Sequence, residues 1–208
     1  MSGYTDDLKE FVRERVIALH RSSVGGRGEA TATLARLRRG SGCEPGSDPL
    51  LWGETLGLPA QYSGRDDKPT AAECAVYAAL TLFAAHQQSV SELMHRGGVS
   101  FGTAARQLGQ RETVSEQAVL RRFQALATAE ALEGALIHAR GLITQFRTAR
   151  IPLDYGQFAV DLVDLQNPAH RNSVRLRWGR GYYRPATKPT TATDESTAQN
   201  ANSQKEQS

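Results

Sequence analysis

Cysteine is scarce in this 208-residue chain, with two residues only, Cys43 and Cys74. They form no CxxC pair, which argues against a disulfide scaffold and a cysteine zinc site and predicts a reducing compartment, the cytoplasm. Long apolar runs are missing. Nothing approaches the roughly 18 residues that a membrane-spanning helix needs, and the polar, acidic opening MSGYTDDLKE predicts no signal peptide. The usual marks of an active site are missing as well. The five histidines, His20, His86, His95, His138 and His170, form neither HxxxH nor HExxH, and no GxxxxGK[ST] loop or GxSxG elbow occurs. Asp161 and Asp164 share a helix but read as a solvated acidic face. No set of nucleophile, base and orienter survives, so the sequence predicts no enzyme, no metal and no cofactor.

Lysine is scarce too. Of 25 cations, 21 are arginine, and 22 acids leave a formal charge of only +3. That balance does not by itself imply nucleic acid. A GC-rich genome accounts for arginine over lysine, so the informative property is where the arginines sit.

The last 23 residues, 186–208, contain no aromatic residue and no Leu, Ile, Val or Met. Such a segment cannot bury a core and is expected to be disordered. The rest of the chain reads as helix after helix. Thr5 is an expected N-cap, followed by a stripe of Leu8, Phe11, Val12, Val16 and Leu19. Glycines over 22–28 break that helix, and Ala30, Leu34 and Leu37 mark a second that Gly40 ends. Residues 41–69 are rich in Gly, Pro and Asp, with a short helix expected over 49–56. Thr70-x-x-Glu73 is a capping box before a segment apolar nearly all round, the mark of a buried helix. Helices are also expected over 100–108, from a second capping box at Thr113-x-x-Glu116, along the stripe Leu132, Leu136, Ala139, Ile143, Phe146 as far as Pro152, and after a cap at Asp154. Residues 173–184 fit a strand alternation or a helix. With no strand partner elsewhere, helix is the reading. The fold class is therefore all-α, seven to nine helices in two packed helical bundles, residues 1–110 and 111–185, ahead of the disordered tail.

The arginines cluster on this framework. Arg36, Arg38 and Arg39 lie within four residues. Arg121 and Arg122 are adjacent, and Arg140 and Arg147 fall on one side of one helix. Residues 166–184 hold Arg171, Arg175, Arg177, Arg180 and Arg184 with Trp178, Tyr182 and Tyr183 interleaved and no acid. Guanidinium groups pair bidentately with phosphate, and aromatic rings can stack bases. This is a nucleic-acid pattern, set against a merely solvated helix face. His86-Gln87-Gln88, at the end of the buried helix, reads better as a polar network that ties helices together than as a contact site. Residues 100–123 resemble a helix-turn-helix, which makes a transcriptional regulator the alternative function. Its turn is longer than the three or four residues of that motif.

Several motifs together resemble the CasB family, the small subunit of the type I-E CRISPR surveillance complex, Cascade. They are LTLFAAHQQS at 80–89, MHR at 94–96, VSFG at 99–102, RRFQAL at 121–126, IPLDY at 151–155, Asp161-Leu162 and VRLRWGR at 174–180. The resemblance runs from about Leu34 to Arg184. It implies an all-helical, non-catalytic subunit that pairs head to tail and sits beside the backbone and large subunits of Cascade. Such a subunit binds nucleic acid (target DNA and its displaced strand, with crRNA a further candidate) without sequence preference and stabilises the R-loop in antiviral defence. Guide pairing supplies the specificity, so the protein need only hold backbone. Arg38, Arg39, Arg96, Arg121, Arg122, Arg177 and Arg180 lie in or beside these motifs and are the leading phosphate candidates. Arg27, Arg36, Arg140, Arg147, Arg171 and Arg175 rest on clustering alone.

Overall fold

The computed structural model describes residues 2–184. The tail expected to be disordered, 186–208, lies outside them. Nine α-helices occur among the described residues: α1 (Ser2–Val24), α2 (Gly28–Arg39), α3 (Trp52–Thr55, after a 3-10 turn at Pro49–Leu51), α4 (Ala71–His86), α5 (Phe101–Gly109), α6 (Glu116–Thr128), α7 (Leu132–Ala149), α8 (Tyr155–Gln166) and α9 (Pro168–Tyr183). No strand occurs among them, and residues 173–183 are helical. Burial decides that last element: Val174, Trp178 and Tyr182 face the core at helical spacing.

Local chemistry fixes most of the boundaries. The capping box at Thr70 and Glu73 is complete in both directions, and Ser100, Asp154 and Asn167 each accept a backbone N–H at the start of their helix. Two expectations are corrected. Thr5 lies inside α1, which starts at Ser2. The cap of α6 is Ser115, whose Oγ accepts from Ala118 N, rather than Thr113. Gly40 closes α2 in a right-handed conformation. It is needed there for space, because a Cβ would stand 2.5 Å from the Tyr77 hydroxyl that donates to the Gly40 carbonyl.

The buried helix α4 packs against α8, α2, α7 and α1, and α1 lies across α8. At the other end α5 packs on α9, α6 and α7. Phe101 of α5 is the meeting point. Its ring centroid lies 6.4 Å from Phe123 of α6, 5.4 Å from Phe146 of α7, 5.1 Å from Phe158 of α8 and 5.4 Å from Trp178 of α9. One continuous apolar cluster reaches from Leu8 to Tyr182. Close helix contact depends on Gly102, where a Cβ would fall 1.9 Å from the Trp178 carbonyl oxygen.

The loop before α5 is clamped to the segment before α8. Arg96 N donates to Leu153 O at 3.1 Å, Leu153 N to Met94 O at 3.2 Å and Asp154 N to Val99 O at 2.8 Å. His95 Nδ1 accepts from Tyr155 N at 3.1 Å. Arg96 is thereby held outward on a fixed backbone.

Candidate nucleic-acid interface

The arginines divide into those already committed within the fold and those left open. Arg177 belongs to the first group. Its Nη2 donates to Asp161 Oδ1 at 2.7 Å and to Asp164 Oδ2 at 3.1 Å. Asp161 is 1% exposed. The expectation of a solvated acidic face on α8 is therefore corrected, and the acid-free run of α9 draws a counter-charge from its neighbour. Sequence could not show this, because the partners lie 16 and 13 residues away on another helix. Burial raises the Asp161 pKa, against the pull of Arg177, Gln157 and Trp178. Burial also opposes the Arg177 charge, and the two carboxylates outweigh it.

Arg171 and Arg175 are committed to carbonyl groups at helix ends. Arg171 donates to Leu165 O at 3.0 Å and Glu130 O at 3.1 Å, and Arg175 to Ala127 O at 2.8 Å. Leu165 O and Ala127 O are orphan acceptors where α8 and α6 finish, and Glu130 O lies in the turn between α6 and α7. Cations at the helix ends also suit the helix dipole.

The open group is different. Among the described residues Arg27, Arg36, Arg38, Arg39, Arg96, Arg121, Arg122 and Arg180 form no ion pair. Several of them converge on α7. Arg38, at the end of α2, has its pKa lowered first by burial and then by Arg39 and Arg147, so three guanidinium groups share one neighbourhood. Arg147 Nη1 is held by Gln88 Oε1 at 2.8 Å, and Arg140 Nε by Ser41 Oγ at 3.1 Å. From the other side Arg122 of α6 reaches over Gly141, where a Cβ would stand 3.0 Å from its Nη1. The result is a cationic band: Arg38 and Arg39 from α2, Arg140 and Arg147 along α7, and Arg122 from α6. Arg121, Arg96 and Arg180 are exposed on α6, the clamped loop and α9. Arg27 stands at the opposite end of α2 from Arg38.

Three residues of this band escaped the sequence reading: Ser41, Gln88 and Gly141. Only Gln88 carried a signal, as part of His86-Gln87-Gln88. The structural reading of that triplet holds. His86 Nδ1 lies 2.9 Å from Tyr155 Oη, and Gln87 bridges Val90 O, Glu92 O and Met94 N at 2.7, 2.8 and 3.0 Å. Gln88 alone turns outward. Six residues, 110–115, separate α5 from α6, longer than a helix-turn-helix turn. No group of three or more His, Cys, Asp or Glu among the described residues could hold a metal ion, and none of their helices is long and apolar enough to cross a membrane.

Fold and site together define a helical protein that presents unpaired guanidinium groups on one band. Comparison then supplies the family. The family described as CRISPR-associated protein Cse2 matches residues 33–183, and the chain belongs to it. CasB from Thermobifida fusca superposes with a TM-score of 0.71 at 32% identity, over 84% of this chain and 97% of that one. M. ruber CasB gives 0.58 at 25%, over 74% and 84%. A Cse2-family CRISPR-associated protein from Thermus thermophilus gives 0.60 at 22%, over 83% and 97%, a likeness of fold. Comparison with curated protein sequences finds no significant match. The resemblance to CasB and the all-α expectation are both upheld.

Proposed function

We propose that this chain is a non-catalytic small subunit of the type I-E Cascade complex that grips the nucleic-acid backbone without reading sequence. The observation that carries this reading is the gathering of guanidinium groups along α7, with Arg140 held by Ser41 beyond the end of α2, Arg147 held by Gln88 and Arg122 over Gly141, and with no carboxylate among the described residues paired to any of them. Like charges so placed raise one another's energy, and a phosphate between them relieves the repulsion while accepting bidentate hydrogen bonds. The fixing of Arg147 by Gln88 and of Arg140 by Ser41 lowers the entropy that binding must otherwise remove. In the complex the band holds target DNA or its displaced strand during R-loop formation, with crRNA a further ligand. The backbone and large subunits, and a second copy paired head to tail, are its protein partners.

The test is binding of the full chain to random single- and double-stranded DNA over a range of salt. A grip on several phosphates gives a log–log slope of about −0.9 per phosphate on duplex and about −0.7 on single strands. A flat salt response defeats the reading, and strong preference for one duplex favours a regulator instead. Co-purification of the native complex with crRNA tests the assignment to Cascade.

A further inference from the structure

Beside the cationic band lies a cleft of about 510 Å³ between the 41–45 loop, α4 and the first turns of α7. Its size falls within the roughly 300–1,000 Å³ of small-molecule sites. The walls are mainly apolar: Ala78 and Leu82 of α4, Leu132, Leu136 and Ile137 of α7, and Pro45. Ile137, at the rim, is 65% exposed. Arg140 is both a wall of this cleft and a member of the band.

We infer that the cleft takes an unstacked nucleobase of a single strand whose phosphates lie on the band. This inference rests on the proposed grip of nucleic acid and adds a preference for exposed bases. Three features select this occupant. The cleft is continuous with the band through Arg140, so a strand held there has its bases within reach. Its own charge is mixed, since Glu44 and Glu133 line it along with Arg140, and two carboxylates repel a phosphate but not a neutral base. Its polar groups match a base edge. The Tyr77 hydroxyl donates to Gly40 O at 3.0 Å, and the Ser41 hydroxyl accepts from Arg140 Nε at 3.1 Å. Ser41 keeps a hydrogen to donate, and the Tyr77 oxygen, which Ser47 also reaches, keeps one lone pair. Every base presents donors or acceptors on its edge beside flat apolar faces, so such a cleft holds a base without demanding a particular one.

The experiment compares three ligands of equal length on the full chain: a mixed-sequence single strand, the same strand with abasic sugars throughout, and a duplex. The wild type should bind the first about tenfold more tightly than the second, the scale of one good base contact. Ile137→Ser should remove that difference while leaving duplex affinity and salt slope unchanged. The mixed-sequence strand, but not the abasic one, should also slow alkylation of Cys43, an exposed thiol lining the cleft. Equal wild-type affinity for the first two strands, with the salt slope intact, overturns the base site and leaves the phosphate grip standing. Equal weakening of all three ligands by Ile137→Ser overturns it as well, by making the cleft part of the phosphate surface. Salt-independent binding, or none, overturns both.

Discussion

Trp178 Nε1 donates to Asp161 Oδ2 at 2.6 Å, and the two side chains are almost wholly buried. The other carboxylate oxygen takes Arg177 at 2.7 Å and Gln157 Nε2 at 3.0 Å. One acid thus pins α9 to α8 and fixes the indole that closes the core around Phe101. Removing it strands a buried indole N–H and leaves Arg177 with Asp164 alone. Asp161→Ala is expected to cost about 1–3 kcal/mol, chiefly for the buried indole N–H left without an acceptor, because Arg177 is partly exposed and keeps Asp164. Asp161→Asn keeps an oxygen for the indole and should cost less. Urea unfolding followed by tryptophan fluorescence checks the order. A loss under about 1 kcal/mol for Asp161→Ala would contradict this role.

The same division between committed and open cations separates stability from binding. Arg171→Ala with Arg175→Ala removes donors from the ends of α6 and α8. These side chains are partly exposed, so about 1–2 kcal/mol is the expected destabilisation in total. Arg121→Ala with Arg122→Ala should leave the unfolding midpoint in place and weaken DNA binding for all sequences alike. It should also make the salt slope on duplex shallower, by up to about 0.9 for each phosphate that is no longer held. Thermal melts and salt-dependent binding on both double variants give the comparison. A destabilised Arg121/Arg122 variant would return that pair to the structural group.

Much of the fold was legible from sequence because helix formation is local. The stripe through Leu8, Val12, Val16 and Leu19, the box at Thr70 and Glu73, and the cap at Asp154 each lie within a few residues of what they determine. What sequence could not supply was pairing across helices. Arg177 and Arg180 look equivalent along the chain, yet one points at two carboxylates of α8 and the other at solvent. Likewise, nothing in the order of residues reveals that Arg122 lies over Gly141 or that Arg140 reaches Ser41 beyond the end of α2. A stretch without acids along one helix says little about charge when a neighbouring helix supplies them.

Two helical glycines give a sharp contrast in packing. Gly102 faces the backbone of α9, where a Cβ would sit 1.9 Å from Trp178 O and 2.8 Å from its carbonyl carbon. Backbone cannot rotate aside as a side chain can. Gly102→Ala should therefore exceed the roughly 1–3 kcal/mol of ordinary overpacking. Gly179, on the same α9, has nothing within 4 Å of the corresponding position. Gly179→Ala should stabilise by up to about 1 kcal/mol through helix propensity. Opposite shifts in melting temperature are the expected result, and similar shifts would refute the close crossing of α5 and α9.

His86 makes the fold sensitive to acid. It is fully buried, with Nδ1 at 2.9 Å from Tyr155 Oη, while Tyr155 Oη lies 3.3 Å from Leu82 O. Tyr155 Oη thus bridges the imidazole and the Leu82 carbonyl, while the buried Nε2 of His86 has no hydrogen-bond partner among the described residues. Burial first, and then the charge of Arg147, outweigh nearby backbone acceptors and push the pKa from 6.5 down to about 4. Between those two values the unfolded chain binds a proton that the folded chain refuses. Stability from this group is thus complete above about pH 6.5 and declines as pH falls toward 4. The full decline is on the order of 3 kcal/mol, since each pH unit between the two values is worth about 1.36 kcal/mol. Urea midpoints measured from about pH 7 to pH 4 should fall more steeply for the wild type than for His86→Phe, whatever the variant's stability at neutral pH. Parallel slopes would show that the buried imidazole takes up its proton without opposing folding.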